Sequence, residues 1–263
     1  MKDYLINSIR RNIYSIKNIS GYSIKSKLGL AKPMSNTIVV ASLSRCGSTL
    51  VVNCLSKAYQ RQKSRLDIVR LDDHINMDYR TTNETIERGF DGNEAEELRG
   101  QYLKGYVYKT HDLAPPNLPE HVKVIFMFGN PVDIVLSIKE LDKNNLTGVD
   151  SRFTSLDLAI RNFRGNLDEK NKIFEKDVLR LRDNFECWFR KQNYPVMALR
   201  YETMWSHVDE IRAFTGFNSF NLPPYKSRKN LREKYEDSTL MAIERTHEDL
   251  INKIESCDDV TYF

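Results

Sequence analysis

Residues 44–49, with the sequence Ser-Arg-Cys-Gly-Ser-Thr, have the features of a loop that binds a phosphate or sulfate group. They follow the apolar, β-branched run of residues 37–41 and precede apolar residues that recur at helical spacing. A strand, a tight turn and a helix in this order direct free backbone N–H groups and the positive helix end at one point. An arginine and two hydroxyl side chains add further donors. The predicted anion ligands are Arg45, Cys46, Gly47, Ser48 and Thr49.

This loop lacks the signature of a nucleoside-triphosphate loop. In the pattern G-x-x-x-x-G-K-[ST], the fixed positions hold Ala41, Cys46, Gly47 and Ser48, so both glycines and the lysine are missing. A phosphatase loop of the Cys-x5-Arg kind is excluded as well, because residue 52 is valine. Taken alone, the segment is equally compatible with a strand–turn–helix in which Gly47 only permits the turn.

A candidate catalytic pair, Lys109 and His111, lies at the end of a strand predicted over residues 105–109. Two residues that are two positions apart in an extended segment point the same way. An imidazole accepts protons near neutral pH, and a lysine beside it, here Lys109, can hold negative charge. The alternative is a histidine with a structural role, which we favour for the other four histidines: His74, His121, His207 and His247.

Two further strand ends carry candidate ligands. The strand predicted over residues 122–128 leads into a helix with Asn130 as N-cap, Pro131 in its first position and Asp133 in the capping-box position. This helix end suits an anion, with Ser137 one turn farther on, although Asn130 and Asp133 also serve as caps. The strand predicted over residues 195–199 is followed by Tyr201. A later basic loop contains Arg228 and Lys229, but such clusters are usually solvated surface.

Alternating strands and helices must position these residues, and they predict an α/β fold with a parallel, doubly wound sheet. Ligands of such sheets bind at the carboxyl ends of the strands, where the candidate residues lie. Predicted strands cover residues 37–41, 66–71, 105–109, 122–128 and 195–199. Two predicted helices begin at Ser48 and Pro131, and a third begins after Trp205. Two more cover residues 94–104 and about 231–254, and residues 158–192 are predicted to form one long or broken helix. The intervening loops are residues 72–93 and 142–157.

The domain prediction is a single α/β domain over residues 36–263, preceded by an amphipathic, basic helix and a connector over residues 1–35. We expect the apolar side of this helix to pack on the domain. Peripheral contact with a membrane surface is the alternative.

Composition limits the classes of function. A net charge of +4 on 263 residues fits an anionic small ligand better than a nucleic acid. The four cysteines and five histidines have no metal-ligand or disulfide spacing, so we expect no metal and a reducing compartment, the cytoplasm. The sequence contains neither a run of about 18 apolar residues, which a membrane span needs, nor the apolar core of a signal peptide.

In their order, these motifs resemble the sulfotransferases that use 3′-phosphoadenosine 5′-phosphosulfate (PAPS). Residues 44–49 stand where that family has Pro-Lys-Ser-Gly-Thr-Thr, and residues 109–111 match its Lys-Thr-His segment letter for letter. Residues 129–137 match Arg-Asn-x-x-Asp-x-x-x-Ser except at the arginine, and residues 201–204 match Tyr-Glu-x-Met. The family's Arg-Lys-Gly loop is echoed by residues 228–230.

The resemblance implies a three-layer, P-loop-like fold with a central, mainly parallel sheet flanked by helices. It implies sulfuryl transfer from PAPS to a hydroxyl or amine of a small-molecule, carbohydrate or lipid acceptor, without a metal. His111 would be the general base, and Arg45 and Lys109 would stabilise the leaving group. The nucleotide ligands implied are Arg45, Cys46, Gly47, Ser48, Thr49, Asn130, Ser137, Tyr201, Arg228 and Lys229.

The sequence departs from the family pattern at two positions. Gly129 replaces the arginine that contacts the 3′-phosphate, and Arg45 replaces the loop lysine. Arginine is a planar fork rather than a mobile point charge, so the two cations are not equivalent. Two alternatives stay open: a P-loop kinase of small molecules, and an adenine-nucleotide-binding protein without catalysis.

Overall fold

The computed structural model describes residues 37–62, 75–76, 107–143, 154–163, 165–227 and 230–263. Within them, a six-stranded sheet has the order β2-β3-β1-β4-β5-β6. Its first five strands are parallel and β6 is antiparallel, which confirms the predicted α/β fold with a mainly parallel sheet. The strands are β1 Thr37–Ser42, β2 Ile75–Asn76, β3 Val107–Thr110, β4 Val122–Phe128, β5 Val196–Arg200 and β6 Val260–Tyr262.

The two central strands consist of near-continuous apolar runs because helices cover both faces of a parallel sheet. Every residue of β1 is buried, and in β4 only Lys123 is partly exposed. These two strands pair with each other over the full length of β1, from Thr37 opposite Val122 to Ser42 opposite Met127. The loop of residues 44–49 therefore follows a strand that is buried along its whole length.

Six α-helices and three short 3-10 helices lie in the described residues. The α-helices are α1 Ser48–Gln62, α2 Pro131–Lys143, α3 Ser155–Asn162, α4 Leu181–Trp188, α5 Val208–Thr215 and α6 Asp237–Glu255. The 3-10 helices are Leu167–Lys172, Met204–His207 and Arg232–Lys234. None of the helices in this part of the chain is long and apolar enough to cross a membrane.

The predicted helix over residues 158–192 is broken, since α3, a 3-10 helix and α4 share its length. The break has a tertiary cause at Gly165, where an added Cβ would lie 1.9 Å from the Val178 carbonyl oxygen. Asn166 then caps the 3-10 helix by accepting a hydrogen bond from the Asp168 N–H at 3.0 Å. Glycine is required at this close approach of two chain segments.

Helix α3 begins inside the predicted loop over residues 142–157, which is a correction. Thr154 and Asp157 form a reciprocal capping box, with Asp157 N–H donating to Thr154 Oγ1 at 3.2 Å and Thr154 N–H donating to Asp157 Oδ2 at 3.0 Å. Lys170 also donates to Asp157 Oδ1 at 2.9 Å. Although burial raises the pKa of the Asp157 carboxyl, the hydrogen bonds from Thr154 and Lys170 outweigh it and leave that pKa below its usual value.

Three other boundaries differ from the sequence prediction. The last helix begins at Asp237 rather than near Leu231, because Arg232–Lys234 forms a separate 3-10 turn. Ile75–Asn76 pairs with β3 inside the predicted loop 72–93, and the edge strand β6 was not predicted. The predicted segment 1–35, the strand 66–71 and the helix 94–104 lie outside the described residues.

Helix α4 packs on the centre of the sheet through aromatic side chains. The Trp188 ring stacks on Phe126 with centroids 6.0 Å apart, and Phe185 meets Phe128 edge to face at 5.5 Å. Both of these α4 residues are almost fully buried, at 1% and 0% exposed. Large buried aromatic contacts of this kind fix a helix against a sheet.

Candidate functional site

The carboxyl ends of four parallel strands are aligned at one edge of the sheet. Ala41 of β1 lies opposite Thr110 of β3, and Ser42 lies opposite Met127 of β4. Phe128 lies opposite Arg200 of β5. The segments that follow β1, β3, β4 and β5 therefore leave from neighbouring points, and these segments contain the predicted site residues.

The loop after β1 has the strand–turn–helix shape that was predicted. Its turn uses two residues in the left-handed region, Arg45 with φ 65° and Gly47 with φ 73°. At Gly47 an added Cβ would lie 2.6 Å from Cε2 of the Tyr201 ring, so only glycine fits against that ring. Ser48 is buried at the start of α1, and Thr49 is exposed.

Arg45 is the cation of this loop, and its side chain contacts a second predicted nucleotide ligand. The exposed guanidinium donates through Nε to Ser137 Oγ of α2 at 2.8 Å, although the two residues are 92 positions apart. A left-handed backbone conformation costs a residue other than glycine about 1–2 kcal/mol. Such strain in a site loop persists where the surrounding structure holds it.

The side chain of Cys46, one of the predicted ligands, lies beneath the loop. Its side chain is 2% exposed, and the thiol donates a long hydrogen bond to the Ser44 carbonyl oxygen at 3.5 Å. The sulfur is also 3.4 Å from the position that a Cβ on Gly129 would take. The side chain of Cys46 therefore fills space under the loop.

The N-terminus of α2 is capped by two side chains, one of them unforeseen. Asn130 Oδ1 accepts from the Val132 N–H at 2.9 Å, as an N-cap does. The Asn130 N–H donates to Glu202 Oε1 at 3.1 Å, whereas Asp133 forms an ion pair with Arg232 at 3.0 Å. The capping-box role predicted for Asp133 thus belongs to Glu202, which follows β5. A carboxylate stands at the helix end for which an external anion was predicted.

The same carboxylate explains why glycine occupies position 129. A Cβ on Gly129 would lie 2.8 Å from Glu202 Oε1 and 3.3 Å from its Oε2. A residue with a side chain, such as the arginine of the resembled motif, could stand here only if Glu202 moved.

His111 follows β3 directly and is 7% exposed. Its imidazole meets the Phe163 ring edge to face, with centroids 5.9 Å apart. The Asp112 N–H turns back to Thr110 Oγ1 at 3.0 Å. Lys109, the other candidate of this segment, is half-buried in β3 between Val40 and Asn76 of the neighbouring strands.

Two residues of α4 hold the main chain of this segment, and the sequence reasoning missed both of them. Asn184 Nδ2 donates to the His111 carbonyl oxygen at 3.1 Å, and Trp188 Nε1 donates to the Asp112 carbonyl oxygen at 2.9 Å. The available signal was the amide at position 184, a polar residue on the helix face that Leu181, Phe185 and Trp188 make apolar.

Tyr201 begins a row of three aromatic rings beside the loop after β1. Its ring meets Trp205 edge to face at 5.7 Å, and Trp205 meets Tyr225 at 4.8 Å. Trp205 is fixed by donating from Nε1 to the Pro223 carbonyl oxygen at 2.9 Å, while Tyr225 is 60% exposed. Trp205 and Tyr225 were not predicted as site residues. Stacked or edge-on aromatic side chains form a surface suited to a planar base.

The remaining predicted ligands, Arg228 and Lys229, lie outside the described residues. Among the residues that are described, no group of three or more His, Cys, Asp or Glu side chains is arranged to hold a metal ion.

No protein-family model matches the chain, and no curated protein matches it in sequence. Similar solved structures include a retinol dehydratase in complex with retinol and PAP, 12% identical over 84% of this chain and 82% of that chain, with a TM-score of 0.45. A sulfotransferase from Alicyclobacillus acidocaldarius is 16% identical over 82% of this chain and 96% of that chain, with a TM-score of 0.38. A sulfotransferase domain from the curacin biosynthetic pathway is 15% identical over 85% and 91% of the two chains, with a TM-score of 0.28. At this level of similarity we take function from the residues of the site.

Proposed function

We propose that the chain is a PAPS-dependent sulfotransferase that transfers a sulfuryl group to a hydroxyl or amine of a small-molecule, carbohydrate or lipid acceptor. The observation that carries the proposal is the 2.8 Å contact between Arg45 and Ser137. It joins the two segments whose sequences resemble the family's nucleotide motifs, and Tyr201 packs against Gly47 of the same loop. Three distant parts of the chain thus meet where one nucleotide could touch all of them.

The nucleotide would lie across the strand ends. The backbone N–H groups of residues 47–49 and the guanidinium of Arg45 would receive the 5′-phosphosulfate, since a helix N-terminus with a cation beside it favours anions. Tyr201, Trp205 and Tyr225 would hold the adenine ring. Ser137, and Arg228 and Lys229 of the basic loop, would contact the 3′-phosphate.

The chemistry would be an in-line displacement at sulfur, in which positioning and charge stabilisation carry the catalysis. His111 would take the proton of the acceptor hydroxyl or amine as the new bond to sulfur forms. The bond from sulfur to the bridging oxygen would break, and its electron pair would stay on the departing adenosine 3′,5′-bisphosphate. Arg45 and Lys109 would stabilise that charge.

We also propose a location in the cytoplasm, a reducing compartment, because the four cysteines of the sequence have no disulfide spacing.

A nucleotide-binding protein without catalysis is the second candidate, and Glu202 favours it. Its carboxylate caps α2 beside Gly129, the position of the family's 3′-phosphate arginine. If the site binds a 3′-phosphate weakly, it also binds PAPS weakly, and PAPS is the sulfuryl donor that the proposed reaction requires.

A thermal-shift series with adenosine 3′,5′-bisphosphate, ATP and 5′-AMP tests the nucleotide site. Ligand at a hundred times its Kd adds about 2.7 kcal/mol of stability, which raises the Tm of a chain of this size by about 5–10 °C. We expect the bisphosphate to give the largest shift. An acceptor screen with ³⁵S-labelled PAPS then separates the two candidates, because only the enzyme produces a labelled acceptor. A larger shift with ATP, together with phosphate transfer, would contradict both.

A further inference from the structure

We propose that α4 positions the general base, with Asn184 and Trp188 holding His111 in place through the main chain that follows it. This inference rests on the proposed role of His111 and names two positioning residues that do not themselves touch the substrate. The contacts are those from Asn184 Nδ2 to the His111 carbonyl oxygen and from Trp188 Nε1 to the Asp112 carbonyl oxygen.

Residues 111–115, which we call the base segment, run on from β3 without regular secondary structure. Buried carbonyl groups outside a ladder need other donors. Side chains from α4 and from the turn after it supply them at four of the five residues. The third and fourth contacts are Cys187 Sγ to the Ala114 carbonyl oxygen at 3.7 Å and Tyr194 OH to the Pro115 carbonyl oxygen at 2.8 Å.

Helix α4 is held in place at its N-terminus and along its buried face, so its side chains can fix the position of the base segment. Its N-terminus is capped by Asp177, whose carboxylate accepts from the Leu181 N–H at 2.9 Å and from the Arg182 N–H at 3.0 Å. Its buried face stacks on β4 through Phe185 and Trp188. Strand β4 in turn pairs with β1, the strand before the Arg45 loop. The helix therefore ties the base segment to the same sheet that carries the proposed nucleotide site.

Asn184 is a buried polar residue at a position where an apolar side chain would pack without a desolvation penalty. The residue is 1% exposed, and its Oδ1 has no hydrogen-bond partner among the residues that the structure describes. A buried amide oxygen without a hydrogen-bond partner lowers the stability of the folded protein, because its desolvation is not compensated. What the amide provides here is the single N–H bond to His111. Displacement of a reacting group by about 1 Å can cost roughly 100-fold in rate, so a bond at this place has a catalytic consequence.

Two substitutions remove the donors and keep an apolar side chain at each position. Asn184→Leu deletes the amide, and Trp188→Phe deletes the indole N–H while an aromatic ring stays against Phe126. Tyr194→Phe removes the hydroxyl that donates to the Pro115 carbonyl oxygen of the base segment, and it replaces Asn184→Leu if that variant does not fold. Glu186→Gln is the matched control on the same helix, because this exposed carboxylate binds Arg182 and Lys253 on the surface.

The imidazole signals of the ¹⁵N-histidine-labelled chain provide a readout that needs no acceptor. His111 is assigned by loss of its signal in His111→Gln. We expect Asn184→Leu and Trp188→Phe to displace the His111 signal, while the signals of the other four histidines stay unchanged. The His111 signal of Glu186→Gln should match that of the wild type. Thr215→Val, which removes a buried hydroxyl bonded to the Ile211 carbonyl at 2.7 Å, controls for a general loss of stability and should leave His111 unchanged.

The result distinguishes this inference from the proposed function. An unchanged His111 signal in folded Asn184→Leu and Trp188→Phe overturns the positioning role, whether or not sulfuryl transfer is found. If Asn184→Leu does not fold, an unchanged signal in Trp188→Phe and Tyr194→Phe overturns it. A displaced signal without any transfer activity supports positioning and removes the proposed reaction. Where transfer is found, kcat should fall about 10- to 100-fold in Asn184→Leu, with the nucleotide KM within about twofold of wild type.

Discussion

Arg45 and Ser137 are joined by a 2.8 Å hydrogen bond between Nε and Oγ, so that the loop after β1 and the second turn of α2 share one polar contact. The Arg45 side chain is exposed, and its backbone has φ 65°. Ser137 therefore helps to orient the guanidinium of a strained loop residue. This relationship gives the first prediction on the nucleotide site.

Ser137→Ala should weaken the binding of adenosine 3′,5′-bisphosphate about tenfold, since hydrogen bonds to charged groups contribute about 1.5–3 kcal/mol. Without the hydroxyl, the Arg45 guanidinium loses a hydrogen bond that orients it at the proposed nucleotide site. Isothermal titration calorimetry measures the change. Ser219→Ala is the control, because that hydroxyl donates to the Ala58 carbonyl oxygen at 3.2 Å, away from the strand ends. Equal affinity in the Ser137→Ala variant would contradict the role given to this contact.

Arg45→Gly should be more stable than Arg45→Ala by about 1 kcal/mol, because only glycine adopts a positive φ without steric cost. Both variants lose the guanidinium, and both should lose nucleotide affinity to the same extent. Denaturant unfolding gives the free energies of unfolding, and calorimetry gives the affinities. Equal stabilities of the two variants would show that the loop does not hold residue 45 in the left-handed conformation.

Gly47→Ala should destabilise the chain by more than Gly216→Ala does. Both glycines have positive φ, 73° and 77°, so the conformational cost of a Cβ is about the same. At Gly216 the added Cβ meets nothing within 4 Å, whereas at Gly47 it would lie 2.6 Å from the Tyr201 ring. The difference between the two free energies of unfolding isolates the ring contact. A double variant with Tyr201→Ala should recover part of this difference, and strict additivity would contradict the packing of Tyr201 on the loop.

His247 makes the stability of the chain sensitive to mild acid. The residue is 3% exposed, and its burial lowers the pKa of the imidazole, a shift that the nearby Asp177 carboxylate opposes. Below about pH 6.5 the unfolded chain binds a proton that the folded chain does not bind, so folding stability falls with pH in this window. Between pH 7.5 and 5.5 the wild type should lose about 1 kcal/mol more than His247→Leu, as measured by urea unfolding. Equal losses would contradict a neutral, buried His247.

The elements that local patterns control were predicted well, and those that depend on distant contacts were not. The apolar runs of β1 and β4 and the Asn130–Pro131 helix start can be recognised from neighbouring residues alone. A broken helix over residues 158–192 was one of the predicted possibilities, but the position of the break at Gly165 depends on a carbonyl 13 positions away. The donor from Trp188 reaches Asp112 over 76 positions. No short sequence window contains both partners of such contacts.

Within the candidate site, residue types were predictable but their partners were not. Lys109-Thr110-His111 identified the segment, whereas the residues that hold it lie on a helix that looked like ordinary core. Cys46 was predicted among the anion ligands, yet its side chain is buried under the turn through Arg45 and Gly47. Burial of one residue in a tight turn follows from the dihedral angles of its neighbours, which the sequence does not reveal.

Glu202→Gln tests whether the departure at Gly129 sets nucleotide preference. The Glu202 carboxylate accepts the Asn130 N–H at 3.1 Å and stands at the positive end of α2. It would repel a 3′-phosphate that approaches the place of the missing arginine. The glutamine keeps the hydrogen bond through its carbonyl oxygen and removes the charge.

A charge at a helix terminus contributes about 0.3–1 kcal/mol, and up to about 2 kcal/mol when partly buried. We therefore expect the affinity ratio of adenosine 3′,5′-bisphosphate to 5′-AMP to rise about threefold to tenfold in this variant. Glu210→Gln, a carboxylate bonded to His207 at 3.0 Å in α5, is the control and should leave the ratio unchanged. If Glu202→Gln alters the affinities for both nucleotides equally, then the carboxylate acts on the loop as a whole, and Gly129 has no part in recognising the 3′-phosphate.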